Sequence, residues 1–167
     1  MSESISPPPA VPSYLEAAHG WRSWLLTRDH KRIALLYLVV ISCFFLTGVV
    51  LGLLMRLELM APGRTMMGPQ TYNAMFTLHG VIMIFLFIIP GIPAIFGNFL
   101  LPMQIGAKDV FFPRLNLFAF YLYVSGAVFA LGTLFIGGPP DTGWTVYVPF
   151  STSTKSNVTL ATFAVLI

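Results

Sequence analysis

The hydrophobic positions of this chain gather into long unbroken runs instead of alternating or recurring on one helical face. The first, Ile33 to Met55, carries no charged residue and is bounded by Arg32 and Arg56. As a helix it would be about 35 Å long at 1.5 Å per residue, enough to cross a bilayer with some tilt. A second run extends from about Ala74 to Leu101 and a third from about Leu115 to Ile136. All three exceed the roughly 20 residues a spanning helix needs. Pro62-Gly63 and Gly68-Pro69 punctuate the first connection, and the second, Pro102 to Arg114, is polar and likewise broken by Gly and Pro. Gly137 to Asn157 is a loop rich in Gly, Pro, Ser and Thr. A fourth apolar run opens at Val158 and is ten residues long at Ile167, too short to span. The pattern predicts an all-α membrane protein, a transmembrane bundle of three full spans plus the start of a fourth, and the N-terminal piece of a larger protein. Residues 1–32 are set apart as a polar arm. Ser6 to Pro12 reads as disordered or polyproline, and His19 to Arg32 as an interfacial helix mixing Trp21 and Trp24 with Arg22, Arg28, Lys31 and Arg32.

Composition removes the alternatives. The chain has 167 residues, 56% hydrophobic and 9% charged, against roughly 45–50% and about 25% for a soluble domain. A soluble fold and a disordered chain are both excluded. One cysteine, Cys43, excludes a disulfide scaffold and reads as a small core hydrophobe. A net charge of +3 without any Lys/Arg stripe excludes a nucleic-acid surface. The first apolar run starts too late and is too long for a cleaved signal peptide. Lys and Arg concentrate in the N-terminal segment and the second connection (Arg22, Arg28, Lys31, Arg32, Lys108, Arg114). These places are therefore expected on the cytoplasmic side of a bacterial inner membrane, with the N-terminus inside.

A few residues are costly in such a chain. His79 is the one ionisable group deep in a span, about six residues into the second run from the outer side. It is either polar glue between helices or a metal or haem ligand, since a neutral imidazole suits iron. The adjacent Gly80 would let a flat macrocycle approach. The second run also holds Pro90 and Pro93, which free carbonyls that neighbours must satisfy, so it is expected inside a bundle. Arg56 and Glu58 close the first span; they are interfacial anchors, or a donor to a cofactor edge and a ligand for calcium or sodium. Asp109 is a solvated loop acid or a proton entrance, with Asn98 and Asn116 near the same mouth. Trp144 belongs to an interfacial belt or packs on a cofactor or partner. The methionines have no ligand-like spacing and read as packing.

These residues stand in linked motifs. Asp29-His30-Lys31-Arg32-Ile33 and Met55-Arg56-Leu57-Glu58-Leu59 come first, then Tyr72-Asn73, Thr77-Leu78-His79-Gly80, Met83-Ile84-Phe85 and Pro90. Phe96-Gly97-Asn98, Pro102, Ile105-Gly106-Ala107, Asp109, Phe112-Pro113-Arg114-Leu115-Asn116 and Gly143-Trp144-Thr145-Val146-Tyr147 follow. Over about residues 27–167 the chain closely resembles the N-terminal third of subunit I of the haem–copper terminal oxidases, in particular the cytochrome c oxidases. The resemblance implies a twelve-helix subunit that reduces dioxygen to water while pumping protons, with low-spin haem (haem a) and a haem–copper centre. It implies that His79 is an axial ligand of the low-spin haem, that Arg56 lies near its formyl group and Trp144 near its propionates. It implies that Asp109 is the mouth of a proton pathway lined lower down by Asn98, Asn116 and Tyr37, and that Glu58 belongs to an outer cation site. The remaining haem and copper ligands would lie beyond Ile167.

The implied partners are oxidase subunits II and III, cytochrome c as electron donor and membrane lipid, with no nucleic acid. Quinol-oxidising relatives carry Arg, Asp and His where this chain has Thr47, Leu51 and Thr71, which favours cytochrome c. A quinol oxidase subunit I remains the alternative within the superfamily. A non-enzymatic membrane bundle or assembly subunit is the alternative outside it, and a transporter is disfavoured by the lack of internal repeats.

Overall fold

The computed structural model describes residues 20–136, 138–156 and 158–167. The polyproline arm and His19 lie outside the described residues. Among the described residues every regular element is a helix. A short turn, α1 (Trp21–Leu25), precedes α2 (His30–Glu58). The next long helix, Pro69–Gln104, is composite. It consists of α3 (Pro69–Val81), two π-helical stretches at Ile82–Ile88 and Gly91–Gly97, and α4 (Asn98–Gln104). Then come α5 (Pro113–Gly132), α6 (Phe150–Ser153) and α7 (Val158–Leu166). His30–Glu58, Pro69–Gln104 and Pro113–Gly132 are each long and apolar enough to cross a membrane, and the chain is an integral membrane protein. The first two helices reach a few residues beyond the apolar runs, because flanking polar residues continue the helix; the third stops short of Ile136 at Gly132.

Local chemistry sets the ends. Asp29 caps α2, its Oδ1 accepting the Lys31 N–H at 2.9 Å. Pro69 and Pro113 begin their helices, where a missing N–H costs nothing. The π-helical stretches fall around Pro90 and Pro93, residues that cannot donate within the helix and that push on the preceding turn. In α-helical register the N–H reaching the Leu86 carbonyl would be that of residue 90. The Tyr123 hydroxyl, from α5, donates to that carbonyl at 2.7 Å. The carbonyl that Pro90 cannot serve thus has a donor from a neighbouring helix, whereas Pro93 and Ile89, whose carbonyl it would serve, are exposed.

The packed centre lies where α2, the composite helix and α5 meet. Ile33, Tyr37, Ile41 and Phe120 form one buried cluster; Ile82, Leu86 and Ala127 form another. Tyr123 packs against both. The α7 backbone crosses α5 closely at Gly126, where a Cβ would stand 2.8 Å from the Ala164 carbonyl oxygen. Most of the apolar surface of the three long helices faces outward, including Phe45, Leu53, Ile92 and Phe96. Cys43 is among these outward residues, contrary to the core placement expected for it. A run without charge gives no sequence signal of which face is inside.

Candidate functional site

Two polar constellations stand at different levels of α2. The first surrounds His79. Its ring lies against a glycine-lined face of α2, and Nδ1 is 2.9 Å from the carbonyl oxygen of Gly48. A carbonyl can only accept, so Nδ1 carries the proton and, in the neutral ring, Nε2 keeps its lone pair. This is the tautomer a ligating imidazole needs, fixed by a backbone partner on its other nitrogen. Gly52 makes the fit possible: a Cβ there would lie 3.2 Å from His79 Cε1 and 3.5 Å from Nδ1. Gly48, Gly52 and Arg56 follow at i, i+4 and i+8, on one stripe of α2. Arg56 is exposed and makes no hydrogen bond or ion pair with any described residue.

Trp144 completes this level. A Cβ on Gly80 would lie 2.7 Å from Trp144 Cδ1, so Gly80 receives the indole. The expectation that Gly80 clears space for a macrocycle meets this neighbour instead. Phe85 meets the same ring edge-on at 6.2 Å between centroids. The loop is tied down by buried Thr77, whose Oγ1 accepts the Gly143 N–H at 2.8 Å and donates to the Asn73 carbonyl at 2.8 Å. Between the Trp144 loop, α3 and α7 is a cavity of about 190 Å³.

Glu58, at the end of α2, is buried. Its Oε1 accepts the Thr65 N–H at 3.0 Å, and its Oε2 accepts those of Met66 and Met67 at 2.6 and 3.0 Å. The Thr65 hydroxyl donates to the Glu58 carbonyl at 2.6 Å. One carboxylate thus fastens the turn of the first connection. Among the described residues no three His, Cys, Asp or Glu side chains gather closely enough to hold a metal ion.

The second constellation lies at the start of α2. Asp109 Oδ1 is 2.8 Å from Nδ1 of His30, which is 4% exposed, and also accepts the Val110 N–H at 2.7 Å. Asn98 and Asn116 pair reciprocally between α4 and α5: Asn116 Nδ2 donates to Asn98 Oδ1 at 2.6 Å, and Asn98 Nδ2 donates to Asn116 Oδ1 at 3.3 Å. Asn98 Nδ2 also donates to the Ala94 carbonyl at 2.7 Å. Tyr37 sits one or two turns further along α2, its ring edge-on to Phe120 at 5.0 Å and beside Tyr123 at 5.6 Å. From His30 to Gly48 the rise along α2 is about 27 Å, so the second constellation lies at the start of the helix and the first about two-thirds of the way along it.

Reading the sequence did not single out His30, Gly48 or Gly52 as site residues. His30 stands in the motif Asp29-His30-Lys31-Arg32-Ile33 with nothing local to mark a partner, which is 79 positions away. Gly48 and Gly52 did leave a signal, two small residues one turn apart in an apolar run.

The comparisons with known proteins agree with this architecture. Residues 32–167 match the family model described as Cytochrome C and Quinol oxidase polypeptide I, and the chain belongs to that family. It is similar to the probable cytochrome c oxidase subunit 1-alpha of Streptomyces avermitilis, 47% identical over 134 residues, covering 80% of this chain and 23% of that protein. The cytochrome c oxidase subunit 1 of Alkalihalophilus pseudofirmus is 44% identical over 128 residues, covering 77% of this chain and 20% of that protein. The probable cytochrome c oxidase subunit 1-beta of Nocardia farcinica is 45% identical over 158 residues, 89% of this chain and 26% of that protein. The chain thus spans about a quarter of the length of the curated relatives it matches.

Proposed function

We propose that this chain is part of the catalytic subunit of a respiratory cytochrome c oxidase, which reduces dioxygen to water and couples that reaction to proton pumping. Its own contribution would be one axial ligand of the low-spin haem, His79, and the entrance of a proton pathway, Asp109. The observation that carries the reading is the bond from His79 Nδ1 to the Gly48 carbonyl. It presents Nε2 as a donor atom from a ring seated against Gly52. An imidazole serving only as glue between helices would be satisfied by the same bond, but would have no use for a second nitrogen with a free lone pair.

The residues fit a haem. His79 would hold the iron through Nε2, and Arg56, on the stripe of the two glycines, would donate to the polar edge of the group. Trp144, held by the Thr77 contacts, would pack near its propionates. The haem supplies a one-electron couple; the chain supplies ligation, orientation and a low-dielectric wall. The haem–copper centre is proposed to be built by other parts of the full-length subunit. Asp109 would exchange protons with water, with His30 holding one carboxylate oxygen and the Asn98–Asn116 pair, Tyr37 beyond it, supplying groups that order water. Glu58 fastens the outer turn; an outer calcium or sodium site would use its remaining lone pairs with neighbouring carbonyls.

The printed names of the relatives, together with Thr47, Leu51 and Thr71 in place of the quinol branch's polar residues, support cytochrome c as donor. Subunits II and III are the proposed partners, and the bacterial inner membrane with a cytoplasmic N-terminus is the proposed location. The test is removal of the His79 imidazole in the intact oxidase. Loss of the low-spin haem absorption supports the assignment, and an unchanged band overturns it.

A further inference from the structure

The end of the bundle that carries His30 and Asp109 has a feature the proton-uptake reading does not use. Arg28, two residues ahead of α2, and Arg114, in the first turn of α5, line one cavity of about 380 Å³. The rest of its lining is Phe111, Phe112, Pro113 and Leu115. Both arginines are exposed, and neither makes a hydrogen bond or ion pair with a described residue. Phe111 is 88% exposed, although it and Phe112 are stacked edge-to-face at 4.5 Å. The nearby acid Asp109 is engaged with His30, and Asp29 caps α2. From residue 20 to 32 and from 102 to 114 the chain carries six Lys/Arg (Arg22, Arg28, Lys31, Arg32, Lys108, Arg114) against two acids, Asp29 and Asp109.

Arg28 and Arg114 flank the starts of two helices long and apolar enough to span, so their guanidiniums would stand near headgroup depth. A phosphodiester accepts paired hydrogen bonds from such planar forks. Apolar residues continue from the cavity along α5: Leu115, Phe118 and Leu122 recur at i, i+3 and i+7 and are all exposed. A water-soluble anion would have no use for that stripe, whereas an acyl chain would. A zwitterionic lipid would bring its ammonium against the arginines.

We propose that Arg28 and Arg114 form a binding site for an anionic phospholipid, its phosphate between the two guanidiniums and an acyl chain along Leu115, Phe118 and Leu122. The inference rests on the membrane-spanning fold and not on the haem assignment. Basic pockets beside membrane helices bind anionic headgroups in this way.

The experiment uses the intact oxidase complex, stripped of lipid in detergent and re-equilibrated with dioleoyl phosphatidylglycerol or dioleoyl phosphatidylcholine. Lipid retained per complex is counted by native mass spectrometry. The wild-type complex is expected to retain phosphatidylglycerol in preference to phosphatidylcholine, and inorganic phosphate should not displace it. The Arg28→Gln/Arg114→Gln complex should lose about one phosphatidylglycerol, while Arg28→Lys/Arg114→Lys keeps part of it. Each single Gln variant reads the same loss if the double variant fails to assemble. Equal retention of both lipids by the wild type would overturn the proposal. So would displacement by inorganic phosphate, or an unchanged phosphatidylglycerol count in the Gln variants.

Discussion

Asp109 Oδ1 and His30 Nδ1 stand 2.8 Å apart, joining the connection after α4 to the first residue of α2. The histidine is buried while the Asp109 side chain is 41% exposed, so the pair spans from the packed interior to water. An acid that exchanges protons needs that exposure, and one held by a buried partner has a fixed position.

Asp109→Asn keeps the shape and removes the exchangeable proton. Turnover of the intact oxidase is expected to fall by about tenfold or more, with fewer protons pumped per electron and an unchanged haem spectrum. Oxygen consumption with proton release from vesicles checks it, and wild-type values would remove Asp109 from proton uptake. His30→Gln leaves the acid in place without its ring partner. A changed pH profile of turnover, with haem content retained, is the expected result; a profile identical to wild type would make His30 a packing residue only.

Gly52→Val places branched carbons where the imidazole of His79 lies, since even a single Cβ there would be 3.2 Å from Cε1. The low-spin haem band should shift or weaken. Gly48→Ala should be milder, because the atom its Cβ would meet first is the sulfur of Met83, the end of a flexible side chain. Visible spectra of the two variants check the contrast, and identical spectra would separate the ring's seat from the haem.

Tyr123→Phe removes the donor to the Leu86 carbonyl, which Pro90 cannot serve. A buried hydrogen bond of this kind contributes about 1 kcal/mol. The variant complex is expected to lose its haem spectrum at a temperature lower by about one degree, the shift 1 kcal/mol gives in a subunit of this size, without change in turnover at room temperature. An unchanged midpoint would mean that the widened helical turns satisfy Leu86 unaided.

Glu58→Ala deletes the acceptor for three backbone N–H groups. The amides of Thr65, Met66 and Met67 should exchange with solvent about tenfold faster in the intact protein. Exchange measured by mass spectrometry checks this, and unchanged protection would mean that the turn holds itself.

The helices and their order were legible because a bilayer demands long uncharged runs, and Ile33–Met55, Ala74–Leu101 and Leu115–Ile136 have them. Pro90 also announced a need for a partner, which Tyr123 supplies. Rotation about each helix axis was not legible. A run apolar on all sides does not say which face meets a neighbour, so Cys43 was placed inward and lies outward. Pairings across many residues were equally hidden. Asn98 and Asn116 were expected at a common mouth and do pair, whereas His30 with Asp109 and Gly80 with Trp144 required the fold. The type of residue at 79, 56, 109 and 144 came from the sequence; the carbonyl that orients His79 came from a glycine whose backbone has no side chain to advertise it.

The most direct test compares the intact oxidase carrying His79→Ala with that carrying His30→Ala, each read by low-spin haem content per complex. The account expects the first to lose the low-spin haem and the second to retain it. A normal low-spin band after His79→Ala would contradict the assignment, as would equal loss in both.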